Sequence, residues 1–134
     1  MVEAAYRLFS ERGYGVSLAT IAQAAEVSVQ NVYFSFQNKR SLAANALQLA
    51  VHGPDLDVPP HEQPWFELLL GASTAADAIS IWVHNTVPVY DRVAPLASMF
   101  VSEPELIDVW DRSEKLRLFG FRQAMAAVAP KGRF

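Results

Sequence analysis

The sequence contains no cysteine, no long apolar run and little positive charge. Without cysteine it has no disulfide, no thiolate metal ligand and no thiol nucleophile, which fits a reducing compartment. No stretch approaches the roughly 20 apolar residues of a membrane span, and the N-terminus lacks the layout of a signal peptide. A net charge of −3 argues against indiscriminate coating of nucleic acid. We therefore expect a soluble, cytoplasmic protein with no membrane partner.

Periodic apolar residues and polar capping residues predict helices along the whole chain, and no segment alternates like a strand. In the first half we expect helices at about 2–12, 18–25, 29–35 and 39–52. In the second half we expect them at about 65–70, 75–101 and 104–128. The segment "HGPDLDVPPHEQP", residues 52–64, is rich in Pro, Gly and Asp and predicts a boundary. The prediction is an all-α fold with one domain at 1–52 and a second at 53–134.

The second and third predicted helices are joined by about three residues. Ala22 and Ala25 are small enough for the two helix axes to cross closely there. This spacing is typical of a helix-turn-helix, whose second helix enters the major groove of DNA. The sequence thus predicts an N-terminal, DNA-binding helix-turn-helix domain.

The predicted recognition helix carries hydrogen-bonding side chains suited to DNA. The amides of Gln30 and Asn31 can bond base edges, and the hydroxyls of Ser28 and Tyr33 can bond phosphates. Lys39 lies at the start of the next helix, where free backbone N–H groups also attract phosphate. These residues favour sequence-specific binding to duplex DNA.

The apolar residues of the same helix are expected to hold it in place. Val29, Val32 and Phe36 recur at steps of three and four, which predicts that they face the core. Tyr33 and Phe34 could also be core aromatics that wedge the helix against its neighbours. Tyr33 is favoured over Phe34 as a DNA contact.

The segment "AAYRLFSERGYGVSLATIAQAAEVSVQNVYFSFQNKRSLAANAL", residues 4–47, resembles the DNA-binding domain of the tetracycline-repressor (TetR) family of transcriptional regulators along its whole length. The resemblance implies that Ser17 and Thr20 approach phosphate and that Lys39 contacts the DNA backbone. It also implies a set of residues at the groove, namely Ser28, Gln30, Asn31, Tyr33 and Phe34. It further implies a homodimer on a palindromic operator, acting as a repressor that a small effector releases from DNA.

Four features depart from the family pattern. Glu26 stands where the family usually has glycine, and no arginine-rich arm precedes the first helix. Residues 1–52 contain four basic residues and three acidic ones, so little net positive charge is available to bind DNA phosphates. The basic residues are Arg7, Arg12, Lys39 and Arg40, and the acidic ones are Glu3, Glu11 and Glu26. The chain also stops where the family usually continues into two dimer-forming helices, so we expect a fragment or an unusual assembly.

The second half combines many aromatic residues with few polar ones, which suits a cavity for an apolar or aromatic ligand. Ordinary core packing explains most such residues equally well. Pro88 and Pro95 should bend the long helix, which places the expected pocket near residues 86–90. The candidate ligand-binding residues are Trp65, Phe66, Trp82, Val83, Thr86, Val87, Tyr90, Met99, Phe100 and Trp110.

Two other kinds of site have weaker support. The boundary segment holds potential zinc ligands in His52, Asp55, Asp57, His61 and Glu62, but its proline and glycine fit a solvated hinge better. No nucleophile–base pair or phosphate-binding loop accompanies the scattered carboxylates, so we expect no metal, no cofactor and no catalysis. The alternative to a regulator is a helical module that binds a small molecule and no longer binds DNA.

Overall fold

The computed structural model describes residues 1–54 and 56–132, and all regular structure in this part of the chain is helical. The prediction of an all-α fold is confirmed. No helix in these two ranges is both long and apolar enough to cross a bilayer. The helices are α1 (Val2–Arg12), α2 (Leu18–Ala24), α3 (Val29–Phe36), α4 (Lys39–His52), α5 (Pro64–Leu70), α6 (Ala75–Ser102) and α7 (Ile107–Val128).

Side-chain caps set the start of four helices. In each case an oxygen of the capping residue accepts the backbone N–H three residues on, which satisfies a donor that the first turn leaves free. The donors are the N–H groups of Thr20, Asn31, Ser41 and Asp77, at 3.1, 3.1, 2.8 and 3.1 Å from the capping oxygens of Ser17, Ser28, Asn38 and Thr74. Because such caps are visible in sequence, the helix starts were predictable to within a residue.

The segment before α7 differs from the expectation. Pro104 was expected in the first turn of the last helix, but Pro104–Leu106 forms a separate 3₁₀ turn and α7 begins at Ile107. The turn buries Leu106 completely. It also places Glu105 against the N-terminal helices, a contact described below.

α6 runs unbroken past both of its prolines. A proline has no N–H, so Pro88 and Pro95 leave the carbonyl groups of His84 and Asp91 without their usual helical donors. Both prolines lie on the exposed side of the helix, where water can reach such carbonyls.

The buried side chains form two hydrophobic clusters. The first cluster combines α1 to α4 with the C-terminal half of α6, the 3₁₀ turn and the start of α7, through Leu96, Met99, Phe100, Leu106 and Val109. The second cluster joins α5, the N-terminal half of α6 and the end of α7, and consists of Phe66, Leu69, Ala75, Ala78, Ala124 and Val128. The first cluster therefore draws on both sides of the boundary segment at residues 52–64.

Hydrogen bonds around Arg92 reinforce this contact between α6 and the N-terminal helices. The Nε of Arg92 donates to the carbonyl oxygen of Ala50 in α4 at 2.8 Å. The hydroxyl of Tyr6 in α1 donates to the carbonyl oxygen of Arg92 at 2.7 Å. Three helices thus share one polar junction beside the first cluster.

Candidate nucleic-acid interface and internal cavity

The turn between α2 and α3 is closed by a pair of backbone hydrogen bonds. The N–H of Val27 donates to the carbonyl of Ala22 at 3.0 Å, and the N–H of Glu26 donates to the carbonyl of Gln23 at 3.1 Å. This pairing is a Schellman motif, which requires a left-handed residue just past the helix. Glu26 is that residue, with φ of 59°. A side chain with a Cβ therefore occupies a position that favours glycine.

Replacing Glu26 by glycine is expected to stabilise the protein by about 1 kcal/mol, because the left-handed conformation costs a non-glycine residue about that much. The substitution should also tighten DNA binding, because it removes a negative charge from the helix-turn-helix that would repel DNA phosphates. Urea unfolding and a DNA titration measure the two effects. Glu26→Gln is the matched control, since it removes the charge and keeps the Cβ. A glycine variant no more stable than the glutamine variant would contradict the strain argument.

The apolar residues of α3 differ from the expectation in two places. Val32 is buried and Phe36 packs partly against the first cluster, as expected. Phe34, however, is 90% exposed, so it does not wedge α3 against its neighbours. It lies two residues after the buried Val32, which places it about 200° around the helix from that residue. Val29 is 37% exposed at the first turn rather than facing the core. Tyr33 is 52% exposed.

The polar candidates lie on the surface around α2 and α3. Gln30 and Asn31 are exposed on α3. Ser28 accepts the cap hydrogen bond with its oxygen, which leaves its hydroxyl proton free to donate. The hydroxyl oxygens of Ser17 and Thr20 lie 2.8 Å apart at the start of α2. These candidates are therefore at the surface, at the start of α2 and along α3.

Lys39 is oriented by an aromatic ring. Its Nζ lies 4.8 Å from the ring centroid of Tyr14, within the range of a cation–π contact. The Tyr14 hydroxyl donates to the carboxylate of Glu105. Burial, and then this hydrogen bond, raise the pKa of Tyr14 above its usual value. The Lys39 ammonium therefore lies over the ring of Tyr14, and a hydrogen bond to Glu105 holds that ring to the turn before α7.

Arg40, the neighbour of Lys39, pairs with groups near the start of α7. Its Nε donates to the carbonyl oxygen of Glu105 at 3.0 Å, and its Nη2 pairs with the carboxylate of Asp108. Part of its positive charge is therefore compensated within the protein. The pairing partners lie 65 and 68 residues away along the chain, so no local pattern reveals them.

A cavity of about 570 Å³ lies between α4, α5, α6 and α7, and includes the expected position near residues 86–90. All three tryptophans of the chain line this cavity. Six of the ten candidate residues line it, namely Trp65, Phe66, Trp82, Thr86, Tyr90 and Trp110.

The other four candidates lie elsewhere. Val83 and Val87 are each 48% exposed on the outer side of α6, because each follows a cavity residue by one position and so points about 100° away. Met99 and Phe100 are buried in the first cluster, where the end of α6 packs on the N-terminal helices. The list was too broad because it followed residue type along the chain and ignored helical phase.

Sequence reasoning missed the contribution of α4 to the cavity wall. Ala44, Leu47, Gln48, Val51 and His52 line it. A second apolar stripe, formed by Ala44, Leu47 and Val51 at steps of three and four, was the available signal. These three residues also lie in or against the first cluster, so the same stripe serves the core and the cavity wall.

Gln63 was also missed, and it fixes the boundary segment at the cavity. This buried side chain donates from Nε2 to the carbonyl oxygens of His52 at 2.8 Å and Val58 at 3.0 Å. Its Oε1 accepts the indole N–H of Trp65 at 3.0 Å. The indole N–H is therefore already bonded, and Trp65 offers the cavity an aromatic surface.

Two of the charged groups at the cavity edge pair with each other. Arg117 donates from Nε and Nη2 to the two carboxylate oxygens of Glu114 at 3.0 and 2.8 Å, and this bond raises the pKa of Arg117. Burial lowers the pKa of His52, although the carboxylates of Asp57 and Glu62 oppose the shift. His52 is accordingly neutral near pH 7, and the cavity wall is mainly apolar.

The described potential metal ligands of the boundary segment do not form a cluster. Among the described residues no group of three or more such side chains could hold a metal ion. His61 instead packs edge-on against Phe119, with ring centroids 5.2 Å apart. Asp55, one of the five possible ligands, lies outside the described residues.

Residues 1–46 match the family model described as bacterial regulatory proteins, tetR family. No curated protein and no solved structure matches the chain significantly. The family match covers α1 to α3 and the first half of α4, which are the elements that carry the candidate DNA contacts.

Proposed function

We propose that this chain, whose residues 1–46 match the tetR family of bacterial regulatory proteins, is a DNA-binding transcription regulator. It acts as a repressor that a small apolar or aromatic ligand releases from its operator. The DNA contacts in this proposal are Ser17, Thr20, Ser28, Gln30, Asn31, Tyr33, Phe34 and Lys39. The ligand contacts are the six aromatic and polar residues that line the cavity with α4. Domains at 1–52 and 53–134 remain part of the proposal.

The observation that carries the proposal is that α4 belongs both to the DNA-binding region and to the cavity wall. Only Gln37 and Asn38 separate it from α3. A ligand that fits between α4 and α6 changes the position of α4 and, through it, that of α3. Release requires the ligand to bind the DNA-free arrangement more tightly than the DNA-bound one.

A homodimer is also part of the proposal. Two recognition helices one DNA turn apart, about 34 Å, read a palindromic site. A small displacement of each α4 changes that separation, so both helices no longer fit the groove at once. The expected operator is therefore a palindrome.

The test is selection of random duplex DNA by the purified protein at two salt concentrations, with sequencing of the bound pool. A palindromic site supports the regulator and its dimer together, and a single half-site supports the regulator alone. No enrichment at low salt would contradict DNA binding. It would favour the second candidate, a small-molecule module without DNA binding, which the pairing of Arg40 with Asp108 supports by reducing the free positive charge.

Replacing Lys39 by glutamine is expected to weaken binding to every duplex and to lower the salt slope by about 0.9, the contribution of one phosphate contact. Gln30→Ala should instead change base preference at particular positions. Titrations at several salt concentrations separate the two effects. Arg122→Gln, the same charge change at an exposed position on α7, should leave the slope unchanged. An equal change of slope in both variants would mean that Lys39 acts only through net charge.

A further inference from the structure

Phe34 is the most exposed large apolar side chain of the described residues, at 90%. It lies on the side of α3 opposite the buried Val32, about 200° around the helix. No aromatic ring pairs with it in the described part of the chain. Core packing therefore does not account for a phenylalanine at this position.

Two neighbours of Phe34 on α3 are amide side chains. Gln30 and Asn31 precede it by four and three residues on the same side of the helix. Both are exposed. A surface for an apolar protein partner would surround the ring with other apolar groups. A ring that lies beside two amides fits a partner whose surface is polar and carries one apolar group.

The major groove of DNA has this character. It presents hydrogen-bond donors and acceptors, and its apolar group is the C5-methyl of thymine. Gln and Asn side chains bond the N6 and N7 of adenine in two places, and adenine is the base paired with thymine. The same helix side therefore carries groups complementary to both halves of an A·T pair.

We propose that Phe34 contacts the C5-methyl group of a thymine, so that Phe34 with Gln30 and Asn31 selects A·T pairs within each half-site. The proposal rests on DNA binding by this helix and goes beyond it, because it names the chemical group that is recognised. Phe34 acts here as a specificity-determining residue.

Deoxyuridine differs from thymidine only by the missing methyl group, so it tests the proposal directly. In the duplex obtained by selection, each thymine is replaced in turn by deoxyuridine. Binding by the unaltered protein should weaken about fourfold at the thymine that Phe34 contacts, the effect of leaving one methyl group unburied. Phe34→Ala should bind the thymine and deoxyuridine duplexes equally.

Two variants serve as controls. Gln30→Ala changes the base preference but should keep the difference between thymine and deoxyuridine. Phe34→Leu retains an apolar side chain and should keep part of it. The exposure of Phe34 means that these changes leave the hydrophobic clusters intact, which thermal unfolding verifies.

Three outcomes overturn the proposal. The protein could bind every deoxyuridine duplex as tightly as the thymine duplex, or Phe34→Ala could retain the sensitivity; in both cases DNA binding stands and the role of Phe34 does not. Selection of no duplex at all would instead refute the proposed function, and this inference with it.

Discussion

Replacing Phe100 by alanine is expected to lower the free energy of unfolding by about 3–5 kcal/mol. Phe100 is fully buried at the end of α6, in the cluster that also holds Phe9, Leu42 and Leu47 of the N-terminal helices. Its ring lies 6.2 Å from that of Trp110, measured between centroids. The truncation therefore removes contacts to helices on both sides of the boundary segment. Because a domain is stable by only about 5–15 kcal/mol, much of the total is lost.

Urea unfolding followed by tryptophan fluorescence measures this loss. Phe34→Ala is the matched control, because it is the same chemical change at a 90% exposed position. We expect it to alter stability by less than about 0.5 kcal/mol while it weakens DNA binding. Similar losses of stability in both variants would contradict the assignment of Phe100 to a core shared by the two parts of the chain.

Replacing Ala97 by phenylalanine should abolish the response to ligand while operator binding persists. Ala97 lies on α6 and lines the cavity, so the added ring occupies space that an aromatic ligand would need. Each 1.4 kcal/mol of lost contact energy weakens binding tenfold, and a ligand excluded from most of the cavity should bind at least about 100-fold more weakly.

The probe for this experiment is 1-naphthol, an apolar aromatic molecule of suitable size. All three tryptophans of the chain line the cavity, so their emission reports its occupancy. Ala76→Phe is the matched control, because Ala76 lies on the exposed side of the same helix. If Ala97→Phe bound 1-naphthol as tightly as Ala76→Phe, the cavity would not be the binding site.

The helices were predictable because their signals are local. A capping residue such as Ser28 or Asn38 and the apolar residues that follow it lie within one or two turns of each other, so the sequence determines the start of α3 and α4. The family resemblance of the first part of the chain is confirmed by the match over residues 1–46. Both results rest on short-range patterns.

What could not be predicted depends on contacts between distant residues. Arg40 stands beside Lys39, yet its partner Asp108 lies 68 residues further on, in a helix whose approach no local pattern predicts. Val83 and Thr86 are both near the middle of α6, but only Thr86 faces the cavity. That difference depends on the side of α6 that packs against α5 and α7. Tertiary packing thus determines which groups these side chains contact, and local sequence patterns do not show it.

The division of the buried residues between two clusters has a consequence for cooperativity. The C-terminal half of α6 shares its cluster with α1 and α4, whereas the N-terminal half shares a different cluster with α5. Hydrogen exchange follows cooperative packing units rather than sequence boundaries. The slowest amides of α1, α4 and the end of α6 should therefore exchange together, as one unit of local unfolding. Helices that match the family model would then gain part of their kinetic protection from a helix that lies outside this match.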